Sequence, residues 1–409
     1  MSHIIMHVDM NSYFASVEQQ ANPFLRGKAI GVTGKRTERT VVAAASREAK
    51  ALGVKTAMGT WEAKRVLPSI ELVMGDMEKY EDISNRFNAI FREFTHLVEP
   101  FSVDESFLDV TDGARDYLGA ILVAQSIKRR LREECGACIT ASVGIAPNKP
   151  MAKLASERMK PDGLVVVPPD RVLNLLDGSK LQDVCGIGPR MALHLNAMGI
   201  FSFQQLRAYP SNSLIERFGS YGQWLSQVAR GQGDDVVCPD VMDQKSYGHS
   251  YTLPKDTMDP SEIERYLLVQ CDKVAWRLRR DGFAARCVTA YLRFSDFSGY
   301  GNRQSLREPL NDGLKIFEVA KELIQAQEGK RGIWRSNSKP IRLVGVSASN
   351  LVRGAGQNPL FRKERKMSSV LFALDAIQSR YGDHAWTRAS VLRTKILARA
   401  GGFKSSPPG

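Results

Sequence analysis

Two apolar segments that carry carboxylates at predicted strand ends restrict the fold more than any other feature of the sequence. Residues 3–10, HIIMHVDM, predict a buried strand that reaches Asp9. Residues 98–110, VEPFSVDESFLDV, predict a hairpin that carries Asp104 and Glu105. Buried carboxylates are unfavourable unless a positive charge neutralises them, and a divalent cation is the usual partner. The two acidic ends therefore predict a metal site.

Magnesium is the cation that this ligand set favours. The backbone carbonyl of Met10 adds an oxygen to the three carboxylates, and Mg²⁺ prefers oxygen ligands of both kinds. Two such ions, about 4 Å apart, would activate a 3′ hydroxyl and stabilise a leaving pyrophosphate. A solvated hairpin turn and a helix N-cap also explain the same acids, so the residues alone leave both interpretations open.

The rest of the sequence alternates predicted helices and strands, which indicates an α+β fold. Helices are predicted at 77–97, 117–134, 148–159, 260–280 and 313–328. Strands are predicted at 139–145, 284–294, 301–306 and 341–351. A chain of 409 residues exceeds what one hydrophobic core organises, so roughly two to four domains are expected. Residues 352–366 predict a polar linker, followed by helical segments at 369–381 and 387–398.

The charge balance points to a polyanionic partner. Lys and Arg number 57 against 44 Asp and Glu, a net charge of +13, which nucleic-acid-binding proteins share with ribosomal factors and membrane-surface proteins. No stretch approaches the roughly 18 apolar residues of a membrane span, and residues 1–7 lack the features of a signal peptide. A cytoplasmic location without a membrane partner is expected.

Cysteine usage favours no disulfide framework and no zinc site. Cys135 and Cys138 form a CxxC pair, but no second pair or close histidines complete a metal-ligand set. The pair is then simply two small residues near a strand start, and the four scattered cysteines are expected to be reduced: Cys185, Cys238, Cys271 and Cys287.

Three segments in order carry a family resemblance. They are 9–18, DMNSYFASVE; 102–110, SVDESFLDV; and 142–163, which begins SVGIA and ends KPDG. They resemble the motifs of Y-family translesion DNA polymerases, especially the bacterial DNA polymerase IV and V branches. The likeness is closest over the first 170 residues and continues more loosely to about residue 398.

The resemblance implies specific roles in the active site. Asp9, Asp104 and Glu105 would be the catalytic residues that hold two Mg²⁺ ions. Phe14 would be the steric gate that excludes a ribose 2′-hydroxyl by clash, with Tyr13 packed beside it. Lys160 would contact the incoming triphosphate as a point charge. Without the flanking motif, a core aromatic and a helix C-cap lysine also explain Phe14 and Lys160.

The sequence departs from the family pattern in the fingers. Positions that often hold Thr, Tyr and Arg are here Ala44, Arg47 and Lys50. Arg47 and Lys50 are predicted to bind the triphosphate in their place. Small residues would leave an open roof over the nascent base pair, which implies low fidelity. They are Ala43, Ala44, Ala45, Ala57 and Gly59.

Two further patterns favour contact with DNA. Residues 184–200 are typical of a helix–hairpin–helix, in which backbone N–H groups near Gly186, Gly188 and Arg190 bind a phosphate; a plain turn between helices is the alternative. Three arginines lie on predicted strands, where side chains alternate between the two faces of a sheet, so they could form one basic surface that faces a DNA duplex backbone. Solvated surface charge is the commoner explanation. These arginines are Arg293, Arg303 and Arg307.

A short peptide in the predicted linker resembles a clamp-binding motif. Residues 357–361, QNPLF, match the Gln-x-x-Leu-Phe peptide by which bacterial polymerases bind the sliding clamp, with Gln357, Leu360 and Phe361 as contacts. An ordinary linker with two apolar residues is the alternative.

Together these features predict a monomeric right-hand polymerase, without proofreading, that binds primer–template DNA, deoxynucleoside triphosphates and a sliding clamp. The expected domains are palm (1–10 and 75–166), fingers (11–74), helical thumb with the helix–hairpin–helix (167–237), α/β little finger (243–351), and clamp-binding linker with helical tail (352–409). A non-catalytic polymerase-like adaptor, a helix–hairpin–helix nuclease and a palm-type nucleotidyl cyclase are the rival hypotheses. The adaptor would be expected to lack a palm carboxylate, and none is missing.

Overall fold

The chain divides into two compact units. The computed structural model describes residues 3–34, 40–239, 244–325, 339–354, 362–382, 385–392 and 394. One unit comprises the described residues before position 240, and the other comprises those after position 243. Among the described residues, no helix has the length and apolar content needed to span a bilayer.

The first unit contains two sheets and most of the helices. Its strands are β1 Ile5–Met10, β2 Ile30–Thr33, β3 Ala44–Ala45, β4 Glu71–Met74, β5 Val98–Pro100, β6 Glu105–Asp109, β7 Ala141–Ala146 and β8 Leu164–Val166. Its helices are α1 Tyr13–Ala21, α2 Arg47–Ala51, α3 Thr60–Val66, α4 Met77–Arg92, α5 Thr111–Ala114, α6 Tyr117–Arg130, α7 Lys149–Glu157, α8 Val172–Asp177, α9 Pro189–Ala197, α10 Phe203–Ala208, α11 Ser211–Phe218 and α12 Ser220–Ala229.

The larger sheet has β1 at its centre, in the order β5-β6-β1-β7-β8. All six residues of β1 are buried because both faces of the strand are covered. Met6 and Val8 belong to the core that α4 and α6 complete, whereas Ile5 belongs to the core that α7 completes. Alternation along the strand therefore places His7 and Asp9 on the side of α7.

The smaller sheet, in the order β3-β2-β4, lies between residues 30 and 74. Val42, Ala49, Ala63 and Ile70 form its small core, so α2 and α3 are anchored by alanines. Strand β4 is absent from the sequence prediction, which has no element between residues 66 and 77. Residues 172–229 are helical, as predicted, and share a core with α7.

The second unit is one antiparallel sheet with helices on one face. It contains β9 Ser246–Thr257, α13 Pro260–Arg280, β10 Phe283–Phe294, β11 Gly299–Leu310, α14 Gly313–Gln325, β12 Ile341–Arg353 and α15 Arg362–Tyr381. The strand order is β11-β10-β12-β9, and every neighbouring pair is antiparallel. Two strand–helix–strand units follow each other along the chain, as predicted.

Two boundaries in the C-terminal region differ from the sequence prediction. Helix α15 begins at Arg362, inside the predicted linker 352–366. It is joined to α13 through Asp375, whose carboxylate accepts two hydrogen bonds of 2.7 Å from Arg279, and its Leu371 is buried. Of the predicted helix 387–398, the described residues contain only a 3₁₀ turn at Ala389–Val391.

We expect Gly144→Ala to destabilise the first unit. A Cβ at Gly144 would overlap the backbone of Ala152 and Ser156, because α7 packs directly on β7 there. Overpacking of this kind costs about 1–3 kcal/mol, which urea denaturation would measure. Gly113→Ala is the matched control: its Cβ meets only the Phe94 carbonyl oxygen at 3.6 Å, and in helix α5 it should be neutral or add about 0.5 kcal/mol. Equal stability of the two variants would contradict this account of the α7–β7 contact.

Candidate active site

Strand pairing brings the predicted acidic residues together. Asp9 on β1 lies directly opposite Glu105 on β6, so the two side chains share one face of the sheet. The backbone N–H of Met10 donates to the carbonyl oxygen of Asp104 at 2.9 Å. The three carboxylates are thus fixed by backbone hydrogen bonds at the ends of two neighbouring strands.

Asp9 is the most buried of the three acids. Its exposed fraction is 8%, and burial raises its pKa to about 6, although the ammonium of Lys160 at 2.9 Å opposes the shift. The charge of Glu105 adds to the rise. Burial lowers the pKa of Lys160, but Asp9 and Glu157 outweigh that effect and raise it. The Lys160 ammonium therefore favours the charged form of Asp9 against the effect of burial.

Glu105 is held by two donors. Burial alone would raise its pKa, but hydrogen bonds from His7 and Lys153 lower it to about 2. Burial also lowers the pKa of His7, whose ring is fully buried, so the ring is neutral. A neutral His7 donates from Nε2 to Glu105 over 3.1 Å, and its Nδ1 lies 2.8 Å from the Ser156 hydroxyl, which also reaches the Lys153 carbonyl oxygen at 2.8 Å. The ionised Glu105 can only accept a hydrogen bond, so it favours the tautomer of His7 that carries the proton on Nε2.

Asp104 lies in the turn before β6. Burial raises its pKa, and a 2.7 Å hydrogen bond from the Ser102 hydroxyl partly opposes the shift. The burial of Tyr13, together with the charge of Asp104, raises the pKa of the Tyr13 hydroxyl.

Lysine ammonium groups neutralise two of these carboxylates in the structure. Lys160 contacts Asp9, and Lys153 contacts Glu105. Within the described ranges, no three Asp, Glu, His or Cys side chains converge as metal ligands. The donor set nevertheless fits magnesium, because it offers three carboxylates at adjoining strand ends and burial makes their charge costly without a cation.

The predicted gate lies at the start of α1. Phe14 is buried, and its ring stacks on Tyr80 with centroids 4.3 Å apart and planes at 13°. Tyr13 packs beside it at 5.6 Å, as predicted, and donates from its hydroxyl to the Tyr80 carbonyl at 2.6 Å. The ring of Phe14 is therefore packed against both tyrosines.

The three cations predicted to bind a triphosphate lie close to one another: Arg47, Lys50 and Lys160. Burial, and then the positive charge of Lys160, lower the pKa of Lys50, and Arg47 adds to the same shift. Arg47 also donates to the hydroxyl of Thr140, the residue just before β7. The crowding of three positive charges favours an anion at this place.

Asn11 is a residue that the sequence analysis did not single out. Its side-chain amide donates to Ser142 at 2.8 Å, and its Oδ1 accepts the backbone N–H of Asp162 at 2.7 Å and the Thr140 hydroxyl at 3.1 Å. Thr140 in turn accepts Arg47. Asn11 therefore links the end of β1 to Arg47 and to the turn that follows Lys160. A polar residue directly after a buried strand was the indication available in the sequence.

The predicted helix–hairpin–helix at 184–200 is a glycine turn followed by helix α9. Gly186 has a φ of 107°, and a Cβ there would meet the ring of Trp224. Gly188 is the N-cap of α9, so the first N–H groups of that helix follow it. The element before the turn is a 3₁₀ segment, Leu181–Asp183, and the exposed Arg190 lies in the first turn of α9.

In the second unit, the predicted arginines share one face of the sheet. Thr289 pairs with Arg303, and Arg293 lies four residues further along β10 on the same side. Arg307 alternates with Leu306, which packs on the core, so it also points away from the helices. Gln357, Leu360 and Phe361 of the predicted clamp peptide lie outside the described residues.

Comparisons with known proteins match both parts of the chain to one family. The model of the impB/mucB/samB family matches residues 8–157, and the model of its C-terminal domain matches residues 244–360. A DNA polymerase IV of Moorella thermoacetica is 39% identical over 390 residues, which cover 94% of this chain and 95% of the relative. A DNA polymerase IV of Bacteroides fragilis is 38% identical over 85% of this chain and 92% of its own.

Solved structures give the same result. A Y-family DNA polymerase chimera of Dbh and Dpo4 aligns over 86% of this chain and 100% of its own, at 27% identity and a TM-score of 0.74. The insertion ternary complex of Dbh DNA polymerase aligns over the same shares, at 27% identity and a TM-score of 0.57. Family models and relatives match both compact units, and the chain therefore belongs to the Y family of translesion DNA polymerases.

Proposed function

We propose that the chain extends a DNA primer on a template by phosphoryl transfer with two Mg²⁺ ions held by Asp9, Asp104 and Glu105. The observation that carries the proposal is the strand register that sets Asp9 opposite Glu105 and ties Asp104 to Met10. Bound magnesium would activate the primer hydroxyl and neutralise the leaving pyrophosphate. The Met10 carbonyl would complete the ligand set.

The lysines would change partners when substrate binds. Lys160 holds Asp9 at 2.9 Å in this structure, and a triphosphate would offer it a stronger anionic partner. Arg47 and Lys50 would bind the same phosphates, and Asn11 would keep Arg47 and the Lys160 turn in register. His7 would hold Glu105 in position throughout, because its hydrogen bond does not depend on a charge.

Sugar selection and fidelity follow from the residues around the nascent base pair. The ring of Phe14 would occupy the space that a ribose 2′-hydroxyl needs. Ala43 and Ala44 pack beside the same core and offer little side-chain surface for checking the shape of a base pair. We expect low fidelity and no proofreading.

DNA and clamp contacts complete the proposal. The hairpin at Gly186 and Gly188 with Arg190 would bind a backbone phosphate without reading sequence. Arg293, Arg303 and Arg307 would bind the duplex backbone in the second unit, with a steep salt dependence. Residues 357–361 would bind a sliding clamp. That a structural neighbour was solved as an insertion ternary complex supports the substrate assignment.

We expect Asp104→Asn to abolish primer extension with Mg²⁺ while primer–template binding stays within about twofold of wild type. The substitution removes a ligand charge but keeps the side-chain volume. Asp112→Asn, at an exposed position of α5, is the matched control and should extend normally. Extension by Asp104→Asn would refute the metal assignment. Binding without extension by the wild type itself would favour the adaptor hypothesis.

We expect Phe14→Ala to admit ribonucleotides. Loss of the ring should reduce discrimination between deoxyribose and ribose by about 100-fold or more, measured as the ratio of kcat/KM for the two triphosphates. Tyr80→Phe keeps the ring on which Phe14 stacks and should preserve the discrimination. Unchanged sugar selectivity in Phe14→Ala would exclude the gate role.

We expect the double variant Leu360→Ala/Phe361→Ala to lose at least about tenfold in affinity for a bacterial sliding clamp, since two apolar anchors are removed. Extension in the absence of the clamp should be unchanged. Asn358→Ser, within the same peptide, should bind as wild type does. Equal clamp affinity of the double variant would show that the clamp binds elsewhere or not at all.

A further inference from the structure

An exposed tryptophan on α3 is not explained by the fold or by the proposed contacts. Trp61 is 71% exposed, and it lies on the face of α3 opposite Ala63, the residue that anchors the helix in its small core. The guanidinium carbon of Arg65, one turn further on, lies 5.0 Å from the centroid of its ring. One face of the ring is thus covered by a cation, and most of the side chain stays open to solvent.

This pair has the chemistry of a stacking platform for a nucleobase. Single-stranded nucleic acid is commonly bound by aromatic rings on which bases stack and by basic side chains that follow the backbone. Arg65 adds a cation–π contact and a positive charge, and Lys64 and Lys55 are exposed nearby in sequence. Glu62 is the one acid in α3, so the helix carries a net positive charge.

The position of α3 determines which base would stack. Val42 donates to Met58 and accepts from Ala57, both at 2.8 Å, so the two small-residue segments of the proposed roof lie side by side. Helix α3 begins at Thr60, directly after this roof, and Trp61 is two residues from Gly59, at most about 7 Å along the chain. A template strand that lay against the proposed roof would therefore come within reach of Trp61.

We propose that Trp61, supported by Arg65, stacks an unpaired base of the template overhang ahead of the templating base. This inference rests on the proposed polymerase function and adds a binding site for single-stranded template. Such a site would hold the incoming template in one path, which an open roof of small residues cannot do alone.

The test uses the full chain and two primer–templates with the same duplex. One has a one-base template overhang, and the other has a six-base overhang. We expect wild type to bind the longer overhang about 10-fold more tightly at one fixed salt concentration, equivalent to about 1.4 kcal/mol. Trp61→Ala should lose this gain, and Trp61→Phe should keep most of it.

A fluorescent base locates the contact. With 2-aminopurine at each overhang position in turn, we expect one position to be quenched by wild type and Trp61→Phe but not by Trp61→Ala. An abasic site at that position should remove the affinity gain of the wild type. Equal quenching and equal affinity gain in Trp61→Ala would overturn the inference, and so would a wild type that binds both overhangs equally.

Extension of the one-base template separates this inference from the proposed function. Wild type and Trp61→Ala should both extend it at the same rate, because Trp61 is not part of the proposed catalytic machinery. Failure of the wild type to extend would count against the polymerase proposal, whereas normal extension with no overhang effect would count against Trp61 alone.

Discussion

The carboxylates of Asp9, which is buried, and Glu105, which is partly buried, set the conditions that the surrounding structure has to meet. Two negative charges lie opposite each other on neighbouring strands, and burial removes the water that would otherwise screen them. The compensating cations come from other elements: α7 carries Lys153, and Lys160 follows shortly after it. Gly144 lets α7 pack directly on β7, so the helix that delivers Lys153 is held close to the central strand.

Charge balance also couples the binding of the nucleotide to the binding of metal in the proposed reaction. Lys160 contacts both Asp9 and Glu157 and lowers the pKa of Lys50 beside it. A triphosphate that attracted Lys160 would leave Asp9 without that cation, and a metal ion at Asp9 would add positive charge beside Lys160, whose remaining anionic partner is Glu157. Each alone creates an unbalanced charge in a buried place. Under the proposed mechanism, nucleotide and metal therefore bind most favourably together, at the moment when both are needed.

The sequence predicted the acidic strand ends and most helices, because these depend on local patterns of apolar and charged residues. The contacts that orient the site depend on residues far apart in the chain. His7 and Ser156 are 149 positions apart, and Asn11 and Asp162 are 151 apart, so no local spacing could reveal either pair. The start of α15 at Arg362 was missed for a different reason. Its first turn is basic and carries no apolar periodicity, although Arg and Lys are good helix formers.

Surface features that do not stabilise the fold carry the most information about function here. Strand β11 is an exposed edge of the second sheet, and arginines on such an edge also discourage pairing with other chains. Arg303 and Arg307 therefore have a structural explanation besides DNA binding. Trp61 has no such structural explanation. Its indole is largely exposed, so it contributes little to the core and presents an apolar surface to solvent. A ligand that covers the ring accounts for it more directly than the stability of α3 does.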